Sequence, residues 1–209
     1  MKAFDYSLVK DPQYFKDGRM DAHSDHTYYR DGEEAQEKET SFRYDLNGIW
    51  KFHYARNYGS AISGFEKEEY CCRDWDDIRV PAHIQMEGYD APQYANVQYP
   101  WEGHEDIHPG EIPEHFNPVA SYVKYFTVPE KRLFISFQGA ESGIALWLNG
   151  QFIGYSEDSF TPSEFELTEY VKEGENKLAA QVFKWTASSW CEDQDFYRFS
   201  GIYRDVYLY

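Results

Sequence analysis

The sequence of 209 residues has few cysteines and no long apolar run. Its three cysteines, Cys71, Cys72 and Cys191, are odd in number and lack the C-x-x-C spacing of a zinc site, which argues against a disulfide framework and favours reduced thiols. No apolar segment has the length of a signal peptide or of a membrane-spanning helix. These absences predict a protein of the cytoplasm with no membrane partner.

Basic residues are scarce relative to acidic ones. Lys and Arg number 20 against 37 Asp and Glu, which gives a formal net charge of -17. Because nucleic acids and anionic membranes bind through clustered Lys and Arg, neither is an expected partner. Aromatic residues make up 19% of the chain. Rings together with carboxylates suit a neutral, hydroxyl-rich ligand such as a sugar, although strands favour aromatic residues without any ligand.

Helical periodicity is also nearly absent, and short runs of alternating apolar and polar residues predominate. Trp50, Phe52 and Tyr54 fall on one face of a predicted strand. Asn149 and Gly150 separate two alternating runs, as a type I′ hairpin turn prefers. The patterns predict an all-β fold, a jelly-roll β-sandwich.

The chain divides into an arm, a domain and a loop insertion. Residues 1–43 are polar but keep aromatic anchors, which predicts an extended N-terminal arm that wraps a core. These anchors are Tyr6, Tyr14 and Tyr29. Residues 44–209 form the predicted jelly-roll domain. Its residues 89–120 contain five prolines, and they predict a long irregular loop insertion that is functional or packs on a partner.

Four long stretches carry a resemblance to a known family. They are "VPAHIQMEGYDAPQYANVQYPWEG", "FNPVASYVKYFTVP", "LWLNGQFIGYSEDSFTPSEFELTEYVKEGENKLAAQVFKW" and "EDQDFYRFSGIYRDVYL". In this order they resemble the amino-terminal sugar-binding domain of glycoside hydrolase family 2. The motifs "ANVQYP" and "EDQDFYRFSGIYRDV" favour the β-galactosidases over the glucuronidase and mannosidase branches. The resemblance implies a galactose-binding-domain-like jelly roll that packs against a later (β/α)8 barrel, with immunoglobulin-like domains between and after.

The resemblance also implies a composite active site. In this family the barrel supplies both catalytic glutamates of a retaining glycosidase, about 5 to 5.5 Å apart, and the jelly roll supplies none. The chain is therefore expected to be a non-catalytic fragment of a β-galactosidase, an enzyme that hydrolyses terminal β-D-galactose residues of lactose-type substrates. Alone, it should be inactive. Its expected partners are galactosides, the downstream immunoglobulin-like and barrel domains of the same polypeptide, and further copies in a homo-oligomer.

Two positions match substrate contacts of the family. Asn96 matches the asparagine that hydrogen-bonds the galactoside, and an amide can donate to one hydroxyl and accept from another. Asp195 matches the aspartate that contacts the galactosyl ring and helps to hold a Na⁺ whose other ligands come from the barrel. Considered without the family, Asn96 could instead satisfy backbone groups of its loop, and Asp195 could belong to a solvated acidic loop.

A second metal of the family, a Mg²⁺ near the arm, is not carried over with its ligands. Asp11 keeps one ligand position, but Leu8 and Ala187 stand where the family has carboxylates. The connection near Glu130 looks a few residues short for the family. Asp193 could be solvated or could pair with Arg198 or Arg204.

Two further functions remain open at this point. The chain could be a free-standing carbohydrate-binding module, or a purely structural domain that braces an oligomer interface. The sugar-binding hypothesis predicts an exposed patch around Asn96, Trp101 and Asp195. Trp101, Trp185 and Trp190 could form a sugar platform, with core packing as the alternative role for Trp185 at least.

Overall fold

The computed structural model describes residues 3–24, 26–128, 132–192 and 195–209. The expectations for Glu130 and Asp193 lie outside these residues. The strands are β1 (Lys16–Asp17), β2 (Tyr44–Asp45), β3 (Gly48–Ala55), β4 (Asp76–Val80), β5 (Gln93–Ala95), β6 (Val119–Thr127), β7 (Phe134–Phe137), β8 (Ala140–Glu141), β9 (Gly143–Leu148), β10 (Gln151–Ser156), β11 (Ser163–Glu166), β12 (Glu175–Phe183), β13 (Phe196–Arg198), β14 (Gly201–Ile202) and β15 (Val206–Leu208). The helical elements are α1 (Gly32–Glu37) and the 3-10 turns Tyr6–Lys10, Tyr58–Ser60, Ile84–Glu87 and Ala187–Trp190.

Two antiparallel sheets form a sandwich, which confirms the predicted all-β jelly-roll class. The larger sheet has seven strands in the order β1-β10-β9-β12-β6-β3-β4, and the smaller has four in the order β11-β7-β15-β2. Two short ribbons, β5 with β13 and β8 with β14, lie outside these sheets. None of the helices in the described ranges is long and apolar enough to cross a bilayer.

The main core lies between the two sheets. From the larger sheet, the buried residues include Trp50 and Phe52 on β3, and Tyr54 packs partly against the same cluster, as the alternation predicts. From the smaller sheet, Ile135 and Val206 meet them. The hairpin turn is also as predicted, because Asn149 and Gly150 both have positive φ, 50° and 78°, as a type I′ turn requires.

The outer face of the larger sheet is covered by the arm. A second apolar cluster on this face includes Trp147, Phe152 and Phe183, and Phe4, Tyr6 and Tyr14 pack against it. Burial on both faces explains why β9 is apolar throughout rather than alternating, since all six of its residues are buried. The arm is not extended throughout, because it also contains α1, capped by the side chain of Asp31.

Phe4 is the arm residue with the most aromatic contacts to the second cluster. Its ring centroid lies 5.6 to 5.7 Å from those of Trp147, Phe152, Tyr155 and Phe183. We expect Phe4→Ala to lower the free energy of unfolding by roughly 2–4 kcal/mol in urea titrations, because it removes these contacts and opens a cavity.

A phenylalanine elsewhere in the arm provides the control. Phe42 is 49% exposed, so Phe42→Ala should cost clearly less than Phe4→Ala. Equal losses for the two variants would contradict a specific role of Phe4 in closing the outer face.

Candidate functional site

Asn96 and Asp195 are brought together by the ribbon of β5 and β13. The two strands pair antiparallel through three residue pairs, of which Ala95 with Phe196 is the last at one end. Asn96 follows Ala95 in the chain and Asp195 precedes Phe196, so the two residues face each other just beyond this pair. Both are exposed to solvent. Their position at the surface leaves both polar groups accessible to a ligand.

Tyr94 contacts both of these residues. Its hydroxyl donates a hydrogen bond of 2.6 Å to Oδ1 of Asp195, and the Asn96 side chain is close enough to the phenol to influence its pKa. The bond to the Asp195 carboxylate raises the pKa of Tyr94, because ionising the phenol would break it and set two negative charges side by side. Tyr94, Asn96 and Asp195 thus lie together as one exposed polar group, hereafter the site triad.

An aromatic cavity of about 410 Å³ adjoins the site triad. Tyr94 and Asp195 form part of its wall, and the rest is mainly aromatic. The other lining residues are His83, Glu141, Phe160, Phe196, Tyr197, Phe199 and Tyr203. Exposed rings beside hydrogen-bonding groups can pack against the C–H face of a sugar while its hydroxyls are bound.

Glu141 is a buried carboxyl in the wall of this cavity. It is 4% exposed, and burial, with repulsion from Glu192, raises its pKa to about 7. His83 Nδ1 lies 3.9 Å from Glu141 Oε2, and the His83 ring stacks on Tyr203 with a centroid distance of 4.7 Å. Burial lowers the pKa of His83, which favours the neutral imidazole. The cavity wall therefore contains one carboxyl, Glu141, that changes charge near neutral pH.

Glu192 anchors the beginning of the acidic segment that leads to Asp195. Its carboxylate accepts hydrogen bonds from Ser159 Oγ at 2.8 Å and from Ser142 Oγ at 3.4 Å. The buried guanidinium of Arg198 lies 3.3 Å from the same carboxylate. Glu192 is therefore a bound structural residue rather than part of a solvated loop. The segment after Arg198 continues into β14 and then into β15 of the smaller sheet.

The predicted tryptophan platform is wrong. Trp101 is 4% exposed and Trp185 is 3% exposed, and their rings meet edge to face with centroids 5.8 Å apart. Trp190 packs on Trp101 at 4.8 Å, and Tyr99 stacks on the same ring at 5.2 Å. These contacts form a small aromatic core that joins the loop between β5 and β6 to the segment after β12. Trp101 consequently adds no exposed face to the site triad.

The metal expectations rest on single side chains. Asp195 fits a hard cation as one oxygen ligand, since a carboxylate can accept several contacts and Tyr94 uses one. At Asp11, which keeps one Mg²⁺ ligand position of the family, Oδ1 accepts a hydrogen bond from the backbone N–H of Gln13 at 2.9 Å. The described ranges contain no group of three or more His, Cys, Asp or Glu side chains placed to hold a metal.

Two residues of the site were missed by the sequence analysis. Tyr94 could have been found from Asn96, because residues two positions apart in an extended segment point to the same side. Glu141 gave no such signal, since a charged residue in a short strand is ordinarily expected to be exposed.

Comparisons with known proteins were made for sequence and for fold. The family model described as "Glycosyl hydrolases family 2, sugar binding domain" matches residues 43–209. A β-galactosidase of Halalkalibacterium halodurans is 56% identical over 208 residues, which cover 97% of this chain and 20% of that protein. A β-galactosidase of Streptococcus thermophilus is 50% identical, with 97% and 20% covered. The chain thus spans about a fifth of the length of these relatives.

Solved structures show the same fold at lower sequence identity. A β-glucuronidase of Bacteroides uniformis superposes with a TM-score of 0.59 and 20% identity, covering 79% of this chain and 17% of that one. A β-glycosidase of Bacteroides vulgatus gives a TM-score of 0.56 and 27% identity, covering 80% and 20%. At such identities the superpositions establish the fold.

Proposed function

The chain belongs to the family of sugar-binding domains of glycoside hydrolase family 2, and from this premise we propose that it is the non-catalytic amino-terminal domain of a β-galactosidase. One observation carries the proposal. The pairing of β5 with β13 brings Asn96 and Asp195, which are remote in sequence, to one exposed end of a ribbon, where Tyr94 hydrogen-bonds Asp195. That arrangement supports their role as contacts to a galactoside, as the family resemblance implies.

Each residue of the site triad has a definite part in this proposal. The amide of Asn96 donates to one sugar hydroxyl and accepts from another, and the carboxylate of Asp195 accepts from hydroxyls of the galactosyl ring. Tyr94 orients the carboxylate of Asp195 through its hydrogen bond. When bound, Na⁺ supplies a positive charge that attracts sugar oxygens, and Asp195 is the ligand that this chain would contribute.

The remainder of the enzyme supplies the chemistry in this proposal. The catalytic glutamates would come from a (β/α)8 barrel of the same polypeptide, which also carries immunoglobulin-like domains and assembles as a homo-oligomer. The β-galactosidases among the relatives, at up to 56% identity, support this assignment of substrate class. The free thiols of Cys71, Cys72 and Cys191 favour a reducing compartment, so we place the protein in the cytoplasm.

Titration of the 209-residue chain with galactose separates a partial site from a free-standing module. We expect no saturation below about 100 mM, with or without Na⁺, because half a site leaves most hydroxyls in water and still loses association entropy. Chemical shifts in NMR spectra would report binding. Saturable binding at low millimolar galactose that is lost in Asn96→Ala would contradict the proposal and identify a carbohydrate-binding module.

A further inference from the structure

The ribbon that carries the site triad is weak by itself. It consists of three residue pairs between β5 and β13, and it is hydrogen-bonded to neither sheet of the sandwich. A two-stranded ribbon without further strands is marginally stable in water. Other contacts must therefore hold β5 against β13 if Asn96 and Asp195 are to keep their mutual position.

A buried polar cluster lies at the end of the ribbon opposite the site triad. Its centre is Gln85, which is 8% exposed and sits in the 3-10 turn Ile84–Glu87. Nε2 of Gln85 donates to Oδ2 of Asp90 and to Oγ of Ser200, both at 2.9 Å. Oε1 of Gln85 accepts from the backbone N–H of Ser200 at 3.0 Å. One amide side chain thus makes three hydrogen bonds to two separate segments.

These two segments lead directly to the ribbon. Asp90 lies three residues before β5 begins, and Ser200 lies two residues after β13 ends. The pair of Gln93 with Arg198 closes the ribbon at this end, whereas Asn96 and Asp195 lie beyond the other end. Gln85 therefore bridges the start of one strand and the end of the other.

The cluster is fixed to the sandwich as well as to the ribbon. Lys184 follows β12, and its Nζ donates to Oδ2 of Asp90 at 2.6 Å, with the Lys184 side chain fully buried. The backbone N–H of Ile84 donates to the carbonyl of Ser200 at 3.0 Å. These contacts attach the polar cluster to the sandwich. Gln85 therefore holds both strands of the ribbon in a fixed position relative to the sandwich.

We propose that Gln85 is a positioning residue, whose amide fixes the register of β5 against β13 and thereby sets Asn96 and Asp195 for their shared ligand. The role toward a ligand rests on the proposed function, whereas the role in setting the register does not. Gln85 acts through Asp90 and Ser200.

The test uses Tyr94 as a local reporter in the 209-residue chain. The ¹³Cζ signal of Tyr94, identified by its loss in Tyr94→Phe, is sensitive to the hydrogen bond that its hydroxyl donates to Asp195. Asp195→Ala supplies the position of this signal when the bond is broken. We expect Gln85→Met, which keeps side-chain length but removes all three hydrogen bonds, to move the signal most of the way to that position.

The control removes a similar buried hydrogen bond between β12 and β6 of the larger sheet. Gln181 is 4% exposed, and its Nε2 donates to Oγ of buried Ser121 at 3.1 Å. Gln181→Met should destabilise the domain without moving the Tyr94 signal. If Gln85→Met does not fold, Ser200→Ala removes one of the three bonds and should move the signal in the same direction by a smaller amount.

A Tyr94 signal that stays at the wild-type position in Gln85→Met, or in Ser200→Ala where that variant replaces it, would overturn the proposal. So would an equal movement in Gln181→Met, because the effect would then follow from general loss of stability. Since no sugar enters this experiment, its outcome is independent of whether Asn96 and Asp195 bind a galactoside.

Discussion

Replacing Asp90 with alanine is expected to lower the free energy of unfolding by about 3–5 kcal/mol, the usual cost of leaving one partner of a buried ion pair alone. The side chains of Lys184 and Asp90 are 0% and 4% exposed, and Nζ lies 2.6 Å from Oδ2. Without Asp90, the ammonium group would be left facing the rings of Trp185 and Phe116, whose centroids are 5.2 and 5.8 Å away. These rings attract a cation, but more weakly than a buried carboxylate does.

The measurement is urea unfolding of Asp90→Ala, Lys184→Met and the double variant. The double variant should recover a large part of the stability lost in Asp90→Ala, because both buried charges are then gone. The double-mutant cycle gives the coupling energy between the two charges directly. An exposed pair serves as the control, since Nζ of Lys16 lies 2.7 Å from Oδ1 of Asp21 while Asp21 is 91% exposed. Asp21→Ala should leave the midpoint nearly unchanged. If Asp90→Ala and Asp21→Ala lowered the free energy of unfolding equally, burial would not be the reason for the contribution of the Lys184–Asp90 pair.

The second large effect is a loss of stability as the pH rises from 4.5 to 8. Burial is the main cause that raises the pKa values of Glu141 and Glu157 to about 7, from an ordinary value of 4.5. Between these two values the folded state binds more protons than the unfolded state, so stability falls with increasing pH. Because a tenfold change in proton affinity corresponds to about 1.4 kcal/mol, the loss is on the order of 3 kcal/mol for each carboxyl.

Glu157 gives the clearer test of this linkage, because Glu141 lies near the titrating ring of His83. Glu157 is 6% exposed, and it accepts hydrogen bonds from the Tyr155 hydroxyl at 2.7 Å and from the Ser188 N–H at 3.0 Å. We expect the free energy of unfolding of Glu157→Gln, measured relative to the wild type, to rise by about 3 kcal/mol between pH 4.5 and pH 8. The reason is that the amide cannot ionise, so the variant does not lose the stability that the wild type loses.

Subtracting the free energy of unfolding of the wild type from that of the variant at each pH removes the pH dependence that comes from other titrating groups. His53 and His83 have pKa values lowered by burial, so below pH 6.5 their linkage raises stability with pH and opposes the carboxyl effect. Glu173→Gln, at an exposed position, is the matched control and should show no pH-dependent difference. A difference for Glu157→Gln that is constant with pH would rule out a raised pKa at Glu157.

The sandwich was predictable because its signals are local. Alternation identified the buried face of β3 at Trp50 and Phe52, and the Asn149-Gly150 dipeptide located the hairpin of β9 and β10. The outer apolar face of the larger sheet was less evident. Strands buried on both faces lose their alternation, so the sequence of β9 does not indicate which residues face the arm.

The candidate site required information that periodicity does not contain. Asn96 and Asp195 were found by family resemblance, and their proximity depends on pairing between strands about a hundred residues apart. The buried pair of Lys184 and Asp90 could not be predicted for the same reason, since charged residues are expected at the surface unless a distant partner is known. Trp101 was misassigned because its burial depends on contacts with Trp185 and Trp190, which are remote from it in the sequence.

The central claim is that Asn96 and Asp195 contact a galactoside in a composite active site. It is tested most directly by the kinetics of the complete polypeptide that contains this domain, with an o-nitrophenyl β-galactoside as substrate and with increasing Na⁺. We expect Asp195→Ala to lower kcat/KM by about 10- to 100-fold and to abolish the response to Na⁺, since hydrogen bonds to a charged group contribute about 1.5–3 kcal/mol. Asn96→Ala should lower kcat/KM by up to about 10-fold, through the loss of neutral hydrogen bonds.

Asp74→Ala is the matched control for this measurement. Asp74 is an exposed aspartate that precedes β4, at the opposite end of that strand from the turn carrying Gln85. Its kcat/KM and Na⁺ response should equal those of the wild type. If Asp195→Ala also keeps the wild-type kcat/KM and Na⁺ response, the domain has a structural role and the substrate contacts proposed for Asn96 and Asp195 are wrong.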